Sequence, residues 1–211
     1  AWASAQLSSY ASITYHKLEI DGVGVFYREA GPKDAPTIVL LHGFPTSSHQ
    51  YETLIPVLAT RYHVIAPDYP GFGQSDAPDP SSFSYTFDQL AKVIEDLLVE
   101  LEIDRYSLYI HDYGAPVGFR LMLNHPERIH ALITQNGNAY EEGLGKKWTG
   151  IAGFWANPQG HPEIFDTFLS FETTMQRHVA GSAHHIYLEV KRIRKQSDVD
   201  GMVRIVRNRS M

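Results

Sequence analysis

The chain has 211 residues, 43% of them hydrophobic and 20% charged, with 16 Gly, 12 Pro and no Cys. That composition excludes collagen-like, disordered and disulfide-stapled classes, and the missing thiol excludes a Cys nucleophile or a thiolate metal site. A formal net charge of −6 speaks against nucleic acid as a partner, and no apolar run is long enough to cross a membrane.

In chain order, residues 1–14 read as a small, polar N-terminal extension without the basic and apolar regions of a signal peptide. Two strands follow, His16–Ile20 and Val23–Ala30, around an Asp21-Gly22 turn with good hairpin chemistry. After a Gly/Pro loop, Thr37–Leu41 suits a short buried strand. The stretch containing Gln50, Tyr51, Leu54, Ile55 and Leu58 has helical period despite Pro56, and Tyr62–Ala66 reads as the next strand. A long loop then reaches about Tyr85. The clearest helix has Thr86 as its N-cap, Asp88 in the first turn, and Leu90, Val93, Ile94, Leu97, Leu98 and Leu101 on one face. Tyr106–His111 predicts a strand, Gly114–Asn124 a helix and Ile129–Gln135 a sixth strand. This alternation favours an α/β fold, a mostly parallel sheet flanked by helices. Near Ala139 the rhythm gives way to an aromatic stretch from Trp148 to Phe171 with helical spacing, which reads as an added helical unit.

Three short segments sit where strands end, the place where open parallel sheets bind ligands. They are His42-Gly43-Phe44-Pro45, the run Pro67–Ser75 with Asp76, and His111-Asp112-Tyr113-Gly114. Strand, one polar residue, then small residues opening a helix is the layout of a nucleophile elbow, with Asp112 at its tip and Gly114 letting the helix start close by. A carboxylate there can attack an alkyl carbon and form an ester. The competing reading is an Asp that merely caps the helix beginning at Gly114. The order of segments favours the elbow, because an oxyanion hole in this layout uses the amide after the nucleophile and one from the loop after the third strand. Those amides belong to Tyr113 and Phe44, supported by His42, by Gly43 (whose freedom permits an unusual backbone) and by Pro45, which stiffens the turn.

His42–Pro45, Pro67–Ser75 and His111–Gly114 together resemble α/β-hydrolases of the epoxide hydrolase and haloalkane dehalogenase group, over roughly Tyr15 to Arg177. The resemblance implies Asp112 as nucleophile, an alkyl-enzyme ester, and hydrolysis of that ester by a His-activated water. It also implies a core over residues 15–138 and a helical cap, here partial, over 139–185. Dehalogenases of the group commonly place an Asn in the His-Gly-x-Pro turn and a Trp after the nucleophile to hold the departing halide. Phe44 and Tyr113 stand there instead, which favours epoxide opening, with Tyr140 and Tyr187 as candidate cap hydroxyls. Ile110 departs from the small residue usual before the elbow.

The expected ligand is a small apolar substrate, an epoxide or related electrophile, with no cofactor, no metal, no nucleic acid and no membrane. The expected assembly is a homodimer and the expected compartment the cytoplasm. In the family, an acid and then a His follow the nucleophile. The residue after the sixth strand is Asn136, an amide, and residues 186–211 contain no Gly-His turn after a strand. That last segment carries seven Lys/Arg against three Asp/Glu, +4, so the preceding 185 residues hold −10. Such a break suggests a C-terminally incomplete hydrolase with an atypical tail and impaired turnover. A haloalkane dehalogenase-like hydrolase and a non-catalytic binding protein of the same fold are the alternatives.

Overall fold

In the computed structural model the chain is described over residues 11–138 and, beyond them, at Gly145, residues 148–161, Glu163 and Ile164. The hairpin forms as expected. β1 (Thr14–Ile20) starts two residues earlier than its pattern suggests and pairs antiparallel with β2 (Val23–Ala30). Asp21 and Gly22 turn it with φ of 50° and 78°, the left-handed pair that a type I′ turn requires.

β3 (Thr37–Leu41), β4 (His63–Pro67), β5 (Tyr106–His111) and β6 (Ile129–Gln135) follow, in the sheet order β1-β2-β4-β3-β5-β6. β2 runs antiparallel to β4, and the remaining pairs are parallel. From β3 the chain first builds outward to β4, then crosses back to place β5 on the other side. The strand order therefore reverses at β3, and the crevice beyond the carboxyl ends of β3 and β5 is where this topology binds ligands.

The strands divide the core between two faces. Val39, Leu41, Ile65, Leu108 and Ile110 pack on the face covered by α2 (Phe87–Glu100) and α3 (Gly114–Asn124). Ile38, Leu40, Val64 and Ala66 pack on the opposite face with Tyr51 and Ile55, the latter from α1 (Ile55–Leu58). In α2, Leu90, Val93, Ile94, Leu97 and Leu98 are fully buried, each worth about 1.5–3 kcal/mol of transfer free energy. Thr86 Oγ1 caps the helix by accepting from the Gln89 amide at 3.1 Å. Its other end closes on Glu102, at φ 56°, with Glu102 N–H donating to Val99 and Ile103 N–H to Leu98, a Schellman ending.

The stretch around Gln50–Leu58 is not one helix. Pro56 lies in the first turn of α1, the only part of a helix where its missing N–H costs nothing, so the preceding Ser48–Tyr51 forms a separate 3-10 turn. Of the aromatic stretch, α4 (Thr149–Ala156) is described. Tyr140, Tyr187, His178, His184, His185 and the basic segment 186–211 lie outside the described residues. No helix among the described residues is long and apolar enough to cross a membrane.

Candidate active site

The ends of β3 and β5 bring two of the three motifs together. Asp112 stands between β5 and α3 at φ 52°, a left-handed conformation uncommon for a side-chain-bearing residue. Its Oδ1 accepts from the Phe44 amide at 2.8 Å and from the Tyr113 amide at 2.7 Å. Oδ2 has no hydrogen-bond partner among the described residues. An Asp that served only as a helix cap would bind amides one turn further into α3; this one instead takes an amide 68 residues away in sequence.

Space at the elbow is made by missing Cβ atoms. A Cβ on Gly114 would stand 2.3 Å from the Leu41 carbonyl oxygen, so only Gly lets α3 begin against β3. The sequence reading of Gly43 needs correction: its φ is not among the left-handed ones. Gly is required there because a Cβ would lie 2.5 Å from the Cβ of Asp112. Ile110, the departure before the elbow, is fully buried and fits because Gly118 faces it; a Cβ on Gly118 would come within 2.4 Å of Ile110 Cγ2. The turn is thus kept tight by the helix, not by the strand.

The Phe44–Pro45 bond is cis. The Gly43 carbonyl accepts from Thr46 N–H at 3.1 Å, from Thr46 Oγ1 at 3.0 Å and from the fully buried His42 ring at 2.9 Å. Burial pushes the His42 imidazole down to about 4, against opposing help from Asp68 and the Gly43 carbonyl. The ring also lies 4.2 Å from that of Tyr69, and its Nε2 accepts from the Tyr69 amide at 3.2 Å.

The second motif reaches the site through Asp68, whose part composition and spacing did not single out. Asp68 Oδ1 accepts from Ser48 N–H at 2.7 Å and Oδ2 from Gln74 N–H at 2.8 Å, while Ser75 Oγ donates to the Asp68 carbonyl. The buried carboxylate therefore ties the loop after β4 to the loop after β3. The signal available in sequence was an acid directly after a strand and six residues before Gln74. Phe44, Phe72, Tyr113 and Phe87 form a chain of ring contacts, with centroids 6.3, 5.3 and 5.2 Å apart between Phe44 and Phe72, Phe44 and Tyr113, and Phe87 and Tyr113. Burial, with the Asp112 charge adding to it, pushes the Tyr113 hydroxyl far up, so it is neutral at any working pH.

Neither the base nor the second acid that the family implies is brought to Asp112 by the described residues. His111 turns to the β6 side, its Nδ1 at 3.0 Å from the Gln135 carbonyl, and no imidazole among the described residues hydrogen-bonds the Asp112 carboxylate. Asn136 stands one residue past the paired His111 and Gln135, at φ 51°, so β6 ends in the same left-handed manner as β5 but with an amide. Among the described residues no group of three His, Asp or Glu is placed to hold a metal ion.

A sheet that reverses at β3, with a left-handed acid beyond β5 and two converging amides, defines an α/β-hydrolase architecture. The chain belongs to the alpha/beta hydrolase fold family, whose model matches residues 36–172. It is 48% identical over 159 residues to an uncharacterized hydrolase of Saccharomyces cerevisiae, covering 74% of this chain and 54% of the yeast protein. It is 37% identical over 113 residues to a haloalkane dehalogenase of Psychrobacter cryohalolentis, covering 53% of this chain and 37% of the relative. The chain thus spans about half the length, or less, of the relatives it matches. Its fold is also that of a haloalkane dehalogenase loop variant from Bradyrhizobium elkanii, with TM-score 0.73 and 24% identity over 94% of this chain and 72% of the other. An epoxide hydrolase from Vigna radiata matches with TM-score 0.70 and 22% identity, over 93% of this chain and 71% of the other.

Proposed function

We propose that this chain attacks an alkyl carbon through Asp112 and that its chemistry is epoxide-hydrolase-like, with the Phe44 and Tyr113 amides as the oxyanion hole. The observation that carries the reading is the double amide contact on one carboxylate oxygen, while the other has no hydrogen-bond partner among the described residues. Oδ2 then approaches a ring carbon of the epoxide. A C–O bond forms to Asp112, the ring C–O bond breaks, and its electron pair leaves with the ring oxygen, which takes a proton from a nearby hydroxyl. Tyr140 and Tyr187 are the proposed donors.

In the resulting ester the former Oδ1 is the carbonyl oxygen. Water adding to Cγ would build negative charge on that atom, where two preorganised N–H groups already point. That second step needs a general base. With no imidazole of the described residues on Asp112, the ester is expected to persist unless a residue outside them supplies the base. The surrounding rings of Phe44, Phe72, Phe87 and Tyr113 suit a small apolar substrate.

Halide displacement is the second reading, favoured by the dehalogenases among the relatives. Against it, neither Phe44 nor Tyr113 offers a side-chain N–H to a departing halide. Incubation with an aromatic epoxide and with a haloalkane, followed by intact-mass and halide measurement, tests the proposal. The expected result is one added epoxide per chain, or diol release, and neither with Asp112→Asn. Halide release with no epoxide reaction would move the assignment to the second reading. If neither electrophile reacts with wild type, the chain is a binding protein of this fold.

A further inference from the structure

The Gly43–Phe44 peptide is one planar unit, so its C=O and N–H point in opposite directions. Its N–H faces Asp112 Oδ1 at 2.8 Å, and its carbonyl faces the His42 ring at 2.9 Å. Whatever fixes the carbonyl therefore fixes the donor. A carbonyl can only accept, so the hydrogen between it and His42 Nδ1 belongs to the imidazole. The Tyr69 amide can only donate, so Nε2, at 3.2 Å, must present a lone pair. Both contacts are satisfied by one species, the neutral ring protonated at Nδ1.

We propose that His42 is a positioning residue that, as the Nδ1–H tautomer bridging the Tyr69 amide and the Gly43 carbonyl, aims the Phe44 amide at Asp112. The bridge joins all three motifs: the loop after β4 sets the tautomer, the tautomer sets the peptide plane, and the plane sets the donor. Thr46 holds the same carbonyl through its amide at 3.1 Å, while its hydroxyl, 3.0 Å away, also contacts Gln50 Oε1. Two N–H donors on one carbonyl, from the ring and from Thr46, also polarise the peptide, which strengthens its N–H as a donor. The depressed affinity of the buried ring for a second proton is consistent with the neutral form. Asp68 and Arg28, whose charges bear on the ring from neighbouring elements, and His111 act on it in opposing senses.

The proposal rests on the Asp112 reading for its catalytic consequence, but its structural content is measurable without activity. Long-range 1H–15N correlation of the full chain near neutral pH should show His42 as the Nδ1–H tautomer. The Phe44 amide proton should be shifted downfield and protected from exchange. In His42→Leu that protection is lost. In His42→Asn, whose side-chain amide sits where Nδ1 was, it returns. Hydrolysis of the Asp112 ester formed from an aromatic epoxide, the step that builds charge on Oδ1, should slow roughly ten- to a hundred-fold in His42→Leu, up to what loss of one oxyanion donor costs, and recover in His42→Asn. An Nε2–H or doubly protonated ring in wild type overturns the proposal and requires no variant to fold. So does a folded His42→Leu whose Phe44 amide is unchanged. Should wild type not react at all, the Asp112 reading fails while the two spectroscopic results still decide the role of His42.

Discussion

His42 was legible in the sequence only as the first letter of a turn, and its ring turns out to be the most constrained group near Asp112. A neutral imidazole kept in a dry core has a measurable effect on stability. Unfolded, the ring titrates at its ordinary 6.5; folded, it titrates at about 4. Between those values the unfolded chain takes up a proton that the folded chain refuses, so falling pH favours unfolding. The contribution is fully present above pH 6.5 and is lost as pH falls toward 4, amounting to about 3 kcal/mol. Glu29 extends the trend to lower pH. Its burial works to raise it, but hydrogen bonds from His63 and Lys33 hold it below the ordinary carboxylate range, so its share disappears as pH falls further. Urea midpoints measured from pH 7 to 4.5 should drop steeply in wild type and follow a flatter course in His42→Asn. Parallel slopes for the two proteins would remove His42 as the cause.

At the scale of elements, the sequence was most legible where period and end signals agree. α2 shows this best, since Thr86, Asp88 and the apolar face through Leu98 are each local features, and the helix begins where they place it. The split at Pro56 was less legible, because apolar period alone cannot say on which side of a proline the helix survives. For the site, the order of the three strand-end motifs could be read directly. The Asp68 tie and the Gly118 recess for Ile110 could not, since each joins residues whose proximity only the folded sheet creates. Two predictions belong to the scale of elements. Glu102 closes α2 in the left-handed region without being Gly. Glu102→Gly should therefore stabilise the chain by roughly 0.5–1 kcal/mol, relief of backbone strain outweighing the added unfolded-state entropy. Chemical denaturation checks it, and a loss of stability would mean that Glu102 makes a side-chain contribution larger than its strain. Gly118→Ala should cost about 1–3 kcal/mol by overpacking Ile110 despite better helix propensity. Combined with Ile110→Ala, which removes the opposing Cγ2, it should cost little beyond Ile110→Ala alone. A double-mutant cycle measures that coupling, and strict additivity would show that α3 is held off β5 by something else.

Among the described residues, β6 is an open edge of the sheet. Parallel strands are ordinarily buried on both faces by helices, and β3 and β4 obey this, yet six of the seven residues of β6 are exposed. Leu132 and Ile133, at 36% and 46% exposure, point to opposite faces of the sheet, so the edge is apolar on both sides. Nearby in sequence, Leu123 at the end of α3 is 66% exposed. Among the described residues nothing pairs with the outer edge of β6. An open edge that is also apolar is the feature that drives strand-to-strand association, whereas charged side chains along an edge suppress it. This chain should therefore associate as its concentration rises, and sedimentation velocity over a wide concentration range should reveal it. Replacing Leu132 and Ile133 together by Lys should shift the distribution toward monomer. Because both side chains are exposed at the edge of the sheet, the urea midpoint should move by no more than about 0.5 kcal/mol equivalent. Labelling of Asp112 by the epoxide should survive the change, since the elbow is formed by β3, β5 and α3 and not by the faces of β6. A wild-type chain that stays monomeric throughout would show that the β6 edge is covered in solution.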